Sequence, residues 1–484
     1  MSESGRPALD AVVVGAGPNG LAAALTLVQA GLSVRVYEAA DEPGGGCRTG
    51  ALTLPGFLHD VCSAVHPLAA SSAFFSAFDP ASHGVRLLQP EIAFAHPLEG
   101  GRAAAAYRSM DRTVTELRPG GASWLRTIGP YVRRVDAILP TALSPLRRVP
   151  PRAALGFLAA GALPASVFAR RLRGPEARAL FAGVAAHTMR PLSAPLTAGV
   201  GALLGVLAHT SGWPVVEGGS QRLTDALAKA VVSAGGTIET GRRIASMGEL
   251  PRSRVTLFDL APTQVAEIAG DALPSSYTRA LRRFRHGPGV CKVDWALAGP
   301  VPWTADVCRQ AGTVHVGGTF AQVASAEAEV AAGRHPEAPF VLVAQPSVVD
   351  PSRAPAGKHA LWGYCHVPNG SDVDMTDRIE AQIERFAPGF RDLILARSVI
   401  TAVGEQVRHP NYIGGDINGG AATLTQTLFR PTVRWNNYRT PVAGLYLCSA
   451  STPPGGGVHG MCGYYAARSA LRHEFSGRLG SAVG

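Results

Sequence analysis

The stretch Ala11-Val12-Val13-Val14-Gly15-Ala16-Gly17-Pro18-Asn19-Gly20 decides the fold, because an apolar β-branched run feeds straight into a glycine-rich turn. The run predicts a buried strand. Leu21 to Ala30 reads as a helix that Gly31 ends. Ser33-Val34-Arg35-Val36-Tyr37 predicts the next strand, with Glu38 at its end. Together they form a complete βαβ dinucleotide-binding unit. Gly15 is expected to make the tight turn, Gly17 to let the backbone approach a pyrophosphate, and Gly20 to let helix and strand pack closely. The helix N-terminus offers free N–H groups and the positive end of a dipole to phosphate. Glu38 is expected to accept hydrogen bonds from ribose hydroxyls and to repel a 2′-phosphate, which disfavours NADP. A glycine-rich turn in an ordinary α/β domain is the plainer alternative, but both strands, the helix and the acid are all in place.

Working outward, Pro43-Gly44-Gly45-Gly46-Cys47-Arg48-Thr49 follows almost at once. A second glycine cluster brings further backbone N–H groups to the pyrophosphate, and the Arg48 guanidinium can fork to phosphate oxygens. FAD is long enough to use such a second clamp, so FAD is the expected cofactor. Near the other end, Gly444-Leu445-Tyr446-Leu447-Cys448-Ser449-Ala450-Ser451 leads to Gly455-Gly456-Gly457-Val458-His459-Gly460. That turn is itself a formal GxGxxG, but no second strand and ribose-binding acid follow it, so a separate NAD site is not expected.

These segments resemble the phytoene desaturase and amine oxidase superfamily of FAD enzymes. Gly218-Gly219-Ser220-Gln221, with the helix after it and Gly235-Gly236-Thr237-Ile238-Glu239-Thr240, looks like the segment that returns to the flavin domain there. Pro410-Asn411-Tyr412-Ile413-Gly414-Gly415-Asp416-Ile417 looks like the phytoene dehydrogenase-related branch that carries the pyridine nucleotide-disulphide oxidoreductase name. The resemblance implies a grip by the C-terminal turn on the flavin end of FAD. It also implies a hydrophobic substrate: a carotenoid-like polyene, another terpenoid or a lipid-like molecule. Motif and resemblance together make Gly15, Gly17, Pro18, Asn19, Gly20, Glu38, Gly45, Gly46, Arg48, Thr49, Ser449, Gly456, Gly457 and Val458 the expected cofactor contacts. Ser449 stands where the superfamily more often has glycine. Cys47 is expected to be a small buried residue; covalent flavin attachment there is the alternative.

The flavin domain is expected to be discontinuous, over 1–90, 210–272 and 405–484, within an α/β architecture. Residues 91–209, rich in alanine and leucine, are expected to form a helical cap. Residues 273–404 are expected to form a mixed-sheet substrate lobe, with strands at Val290 to Leu297 and Phe340 to Gln345 and a helix at Asp377 to Phe386. His459, His66 and Tyr412 are the candidate catalytic residues, with Asp416 a weaker one that a turn-capping role would explain equally. His187 and His209 flank apolar helices and read as packed structural residues. Trp295, Trp303, Trp362 and Trp435 are expected either to line an apolar tunnel or to be ordinary core. The expected activity is that of an FAD dehydrogenase, desaturase or oxidase. A flavin-dependent alkene isomerase, an amine oxidase and a non-catalytic flavin protein are the alternatives.

The 484 residues are 46% hydrophobic and 17% charged, which describes a folded chain of two or three lobes. The net charge is +10, but arginine pairs such as Arg133-Arg134, Arg147-Arg148 and Arg282-Arg283 lack interleaved aromatics, so nucleic acid is not an expected partner. A peripheral contact with anionic lipid stays open. Seven cysteines without metal-ligand spacing, and a polar start, point to reduced thiols in a cytoplasmic protein and to no metal. Abundant alanine, arginine, glycine and proline with little lysine hints at a bacterial source. Ala153 to Ala169 and Leu192 to Val216 carry little charge but are broken by prolines, and are expected to be buried helices beside a greasy cavity.

Overall fold

The computed structural model describes residues 9–145 and 150–476; the Arg147-Arg148 pair lies outside them. Two sheets organise the chain. The smaller has five parallel strands in the order Leu445–Leu447, Ser253–Phe258, Leu9–Val14, Val34–Tyr37, Thr237–Glu239. Its central strands are apolar without alternation because helices cover both faces. On one face pack Pro18–Gln29, Gln221–Ser233 and Met461–Glu474, through Leu21, Leu25, Leu223, Leu227, Ala466 and Ala470. On the other lie Pro262–Ile268 and Ser275–Arg282, through Val265, Tyr277 and Leu281. The first helix begins at Pro18, whose missing N–H costs nothing in a first turn. Among the described residues the C-terminal glycine turn is followed by a helix and by no further strand.

The larger sheet has seven strands in the order Ile394–Ile400, Gly289–Leu297, His359–Val367, Val341–Ala344, Ala311–Val316, Ile92–Pro97, Ala103–Tyr107. All pairings are antiparallel except that of Ala311–Val316 with Ile92–Pro97. One face is apolar: Val293, Trp295, Val314, Val343 and Leu361 pack with Ile379, Ile383 and Phe386 of the helix Thr376–Phe386. The opposite face meets the helices Gly121–Val132, Pro175–Ala186 and Thr197–Ala208, through Phe94, Leu342, Ala344 and Trp362.

The expected cap boundary is therefore corrected. Residues 92–107 are not part of the helical segment; they contribute two strands to the larger sheet. Their run Ala103-Ala104-Ala105-Ala106 has weak strand propensity, and long-range pairing overrides it. Both apolar stretches form short helices, with Phe157, Phe168, Val206 and Leu207 in the core, but only the second is buried beside the cavity: the first is half-buried, with Leu155 50% exposed, and lies away from it. Among the described residues no single helix is long and apolar enough to cross a membrane. Arg152–Gly161 and Ala165–Arg171 reach the length only together, and they are bent by 108°.

Candidate active site

A cavity of about 870 Å³ runs from the glycine turn of the first strand, between the two sheets, to the helices above the larger sheet. Its volume falls in the range of small-molecule and cofactor sites. Every expected cofactor contact lines it except Gly20 and Thr49.

Those two are corrections. The Gly20 N–H donates to Asp259 Oδ2 at 2.8 Å, and a Cβ at Gly20 would stand 2.0 Å from the Gly15 carbonyl oxygen. Gly20 therefore closes the helix onto its own turn. The Thr49 hydroxyl donates to Asp60 Oδ1 at 2.8 Å and accepts from the Gln221 N–H at 3.1 Å, so it braces the clamp from behind. Glu38 does line the cavity. Its Oε2 accepts from the Ala16 N–H at 2.7 Å and its Oε1 from the Ala40 N–H at 2.9 Å. It thereby ties the end of the second strand to the glycine turn, and keeps a second lone pair on each oxygen for a ribose.

Asp259, at the end of the strand Ser253–Phe258, escaped the sequence reading. It lines the cavity under the glycine turn, and a Cβ on Gly17 would stand 2.8 Å from its Oδ2. Burial and the Glu38 charge, against hydrogen bonds from the Gly20 and Gly17 amides, raise its pKa to about 7.

The two glycine clusters are one wall. The Gly44 N–H donates to the Ala16 carbonyl at 2.9 Å, and Arg48 Nε donates to the Gly45 carbonyl at 2.9 Å. Tyr412 lies across this wall, stacked on His409 with ring centroids 4.2 Å apart, and a Cβ at Gly46 would meet its hydroxyl at 1.8 Å. Its phenol bonds to Cys62, and burial pushes its pKa well above the usual tyrosine range. Tyr412 thus packs against the clamp as a neutral phenol and lines the cavity there. Gly46→Ala is expected to displace Tyr412 and weaken cofactor binding at least tenfold, at a cost of about 1–3 kcal/mol in stability. Gly46→Ala with Tyr412→Phe should recover part of both, measured by cofactor titration and thermal melting.

Cys47 is buried, its thiol donates to the Ser220 carbonyl at 3.4 Å, and burial pushes its pKa well up; it stays a neutral small residue. His459 is also corrected. Its Nδ1 accepts from the Met461 N–H at 3.0 Å, so Nε2 carries the proton and donates to the Gly455 carbonyl at 3.1 Å. Both nitrogens hold the turn before the last helix, and none is left for a substrate. Asp416 accepts from the Gly287, Asn418 and Gly420 amides and lies outside the cavity, which makes it a turn cap.

His66 fares differently. The Ser220 hydroxyl donates to the Ser63 carbonyl at 2.6 Å, so it must accept from His66 Nε2–H at 2.8 Å. His66 Nδ1 is then a bare lone pair without a partner among the described residues, on a residue that lines the cavity. Burial, opposed by the Asp60 charge and aided by that of Arg353, lowers its pKa to about 4, so the ring is neutral at pH 7.

Arg430 is buried and lines the cavity beside the C-terminal turn. Nη1 donates to the Ala450 carbonyl at 3.2 Å and Nη2 to the Gly420 carbonyl at 3.0 Å, while Nε has no partner among the described residues. A buried cation facing a cavity favours an electron-rich or anionic occupant. Of the four tryptophans singled out, Trp362 alone lines the cavity, joined by Trp213. Trp295 and Trp303 lie in the core of the sheet's other face, and Trp435 is exposed. His209 packs under Trp124, accepting from its indole N–H at 2.9 Å, but His187 lines the cavity.

The domain model that matches, described as an NAD(P)-binding Rossmann-like domain, covers residues 13–79. A Mus musculus protein named pyridine nucleotide-disulfide oxidoreductase domain-containing protein 2 is 26% identical over 96% of this chain and 94% of its own length. The phytoene dehydrogenase of Streptomyces griseus is 28% identical over 92% of both chains. The chain is an FAD-dependent oxidoreductase, similar in sequence along most of its length to a phytoene dehydrogenase. In fold, this FAD oxidoreductase is similar to a solved putrescine oxidase at TM-score 0.59, with 17% identity over 96% of this chain and 99% of that one. The glycine wall, Arg48, the bare His66 nitrogen and the unmatched Nε of Arg430 fit such a cofactor: backbone donors and a cation for phosphates at one end, unmatched polar groups at the other.

Proposed function

We propose that this FAD oxidoreductase is a dehydrogenase or desaturase acting on a long, mostly apolar molecule of the isoprenoid or lipid class. The observation that carries the reading is the continuity of one cavity from the glycine turn into a chamber walled by Val200, Leu203, Leu204, Trp213, Leu342 and Trp362. Burying an apolar chain there gains roughly 25 cal/mol for each Å² removed from water. The Gly15–Gly17 turn, Arg48 and Glu38 would hold the adenosine and pyrophosphate half of FAD, and the Gly455–Val458 turn with Arg430 the flavin half. When bound, FAD supplies a hydride acceptor that no side chain provides. The chain's own part is to exclude water, hold the reacting carbon close and leave His66 Nδ1 free to accept a hydrogen bond.

The named activity of the Streptomyces griseus relative supports this class. Likeness in fold to putrescine oxidase favours an amine as the second reading. Against it, the carboxylates lining the cavity are Glu38, Asp259 and Glu267, all in its nucleotide half, so none stands ready for an ammonium in the apolar chamber. The test is the absorbance spectrum of purified protein, with the cofactor released by acid identified by mass, then anaerobic addition of phytoene, other isoprenoids and simple amines. Flavin bands bleached by isoprenoids support the proposal. Bleaching by amines alone moves the assignment to the second reading, and a protein that refuses FAD overturns both.

A further inference from the structure

The cavity face of the larger sheet is not uniformly apolar. Thr313, Ala344 and Trp362 stand in one register row across three antiparallel strands, and His315, Leu342 and Tyr364 in the next. Residues opposed in this way share a face, and the two rows lie about 7 Å apart along the strands. Thr313 Oγ1 and Trp362 Nε1 are buried, belong to cavity-lining residues and have no hydrogen-bond partner among the described residues. Native buried polar groups are nearly always paired, so two orphans in one register row, on the strands either side of Val341–Ala344, need an explanation.

His187 stands over the second row from the helical cap. Its Nε2 lies 2.9 Å from His315 Nε2, so one of the two nitrogens donates. His315 is wholly buried and its Nδ1 has no partner. Placing a proton on that nitrogen would orphan a donor, the costlier arrangement. His315 therefore donates through Nε2, and the proton of His187 sits on Nδ1. That N–H has no protein partner among the described residues, on a residue that lines the cavity.

We propose that this end of the cavity is a polar subsite for a carbonyl oxygen carried by an otherwise apolar substrate, with His187 Nδ1–H, the Thr313 hydroxyl and the Trp362 indole N–H as its donors. The inference rests on the proposed function and narrows its substrate class from hydrocarbons to oxygenated molecules. Burial holds the His187 pKa down to about 3, and that of His315 well below its usual value, so the donors are uncharged at pH 7. Uncharged donors match a neutral oxygen better than a carboxylate.

The test uses the FAD-loaded protein with 2-tridecanone and n-tridecane, reading ligand retained after gel filtration together with the flavin absorbance change. Wild type is expected to bind the ketone about tenfold or more tightly than the alkane, because a site with unmet donors discriminates against a ligand lacking the acceptor. Thr313→Val with Trp362→Phe removes both donors and should bring that preference to about threefold or less; the ratio of ketone to alkane retention is the readout, because the smaller ring also alters the chamber wall for both ligands alike. Equal retention of the two ligands, including retention of neither, overturns the subsite. So does a ketone preference that survives the double substitution. If the protein refuses FAD, the proposed function falls, while ligand retention still decides the subsite.

Discussion

Arg353→Met is expected to destabilise the protein by about 3–5 kcal/mol, the usual consequence of removing one partner from a buried ion pair. Arg353 is wholly buried, with Nη2 2.7 Å from Asp60 Oδ2 and Nε 3.0 Å from Asp350 Oδ2. Both acids also hold backbone: Asp60 accepts from the Ser220 N–H and Asp350 from the Gly218 N–H, each strengthening the turn that opens the helix Gln221–Ser233. Methionine fills much of the space but leaves two buried carboxylates without their cation. Because Asp60 also braces Thr49 behind the glycine clamp, FAD should be lost at lower denaturant than the fold itself. Arg353→Lys keeps the charge without the fork that reaches both acids, and should fall between the two. Denaturant titration followed by circular dichroism and flavin fluorescence checks all three. A methionine variant as stable as wild type would remove the hub from the account.

The second large effect concerns Asp259. Its carboxyl takes the N–H groups of the very turn that should receive a pyrophosphate, and its pKa is raised to about 7, by burial first and the Glu38 charge after the opposing amide bonds. The carboxyl is therefore about half protonated at pH 7 in the cofactor-free protein. A bound pyrophosphate adds negative charge nearby and raises the pKa further, so binding takes up a proton. FAD affinity should accordingly fall as pH rises above 7, by at most about tenfold per pH unit. Below pH 7 it should level off. Asp259→Asn keeps an acceptor for the Gly20 N–H and removes the charge. It is expected to flatten the profile between pH 6 and 9 and to bind FAD about tenfold more tightly at pH 9. Flavin fluorescence quenching across that range reads the result. A wild-type affinity that does not change with pH, or an asparagine variant with the same slope, would show that the carboxyl does not feel the cofactor.

The difference between these two sites explains what was legible in the sequence. The glycine turn, its helix, the second strand and Glu38 are contiguous, and each constrains its neighbour through local geometry: a positive φ of 100° at Gly15 and a helix begun by Pro18. The second glycine cluster follows within a few residues, so the clamp was legible too. The C-terminal turn was legible as a motif, but the part played by His459 was not. Only the packed turn shows that its two nitrogens face Met461 and Gly455.

The larger sheet left a readable signal of its two faces. In Cys291-Lys292-Val293-Asp294-Trp295 and Thr313-Val314-His315-Val316, polar and apolar residues alternate with the period of a strand whose two faces differ. That alternation separates an apolar face from one carrying Lys292, Asp294, Thr313 and His315, but only strand pairing assigns the second face to the cavity. The alanine-rich strand at residues 103–107 left no such signal. It joins this sheet through its neighbour Ile92–Pro97, which itself pairs with a strand more than two hundred residues away.

By itself, then, the sequence determined the cofactor half of the site, because a dinucleotide turn is made of adjacent residues whose φ angles and missing Cβ atoms are written into the chain. Only the tertiary structure decided the rest. Asp259 under Gly20, Tyr412 over Gly46, and His187 against His315 are separated by 239, 366 and 128 residues, and side chains so far apart acquire their partners, their protonation and their roles only when sheets and helices pack.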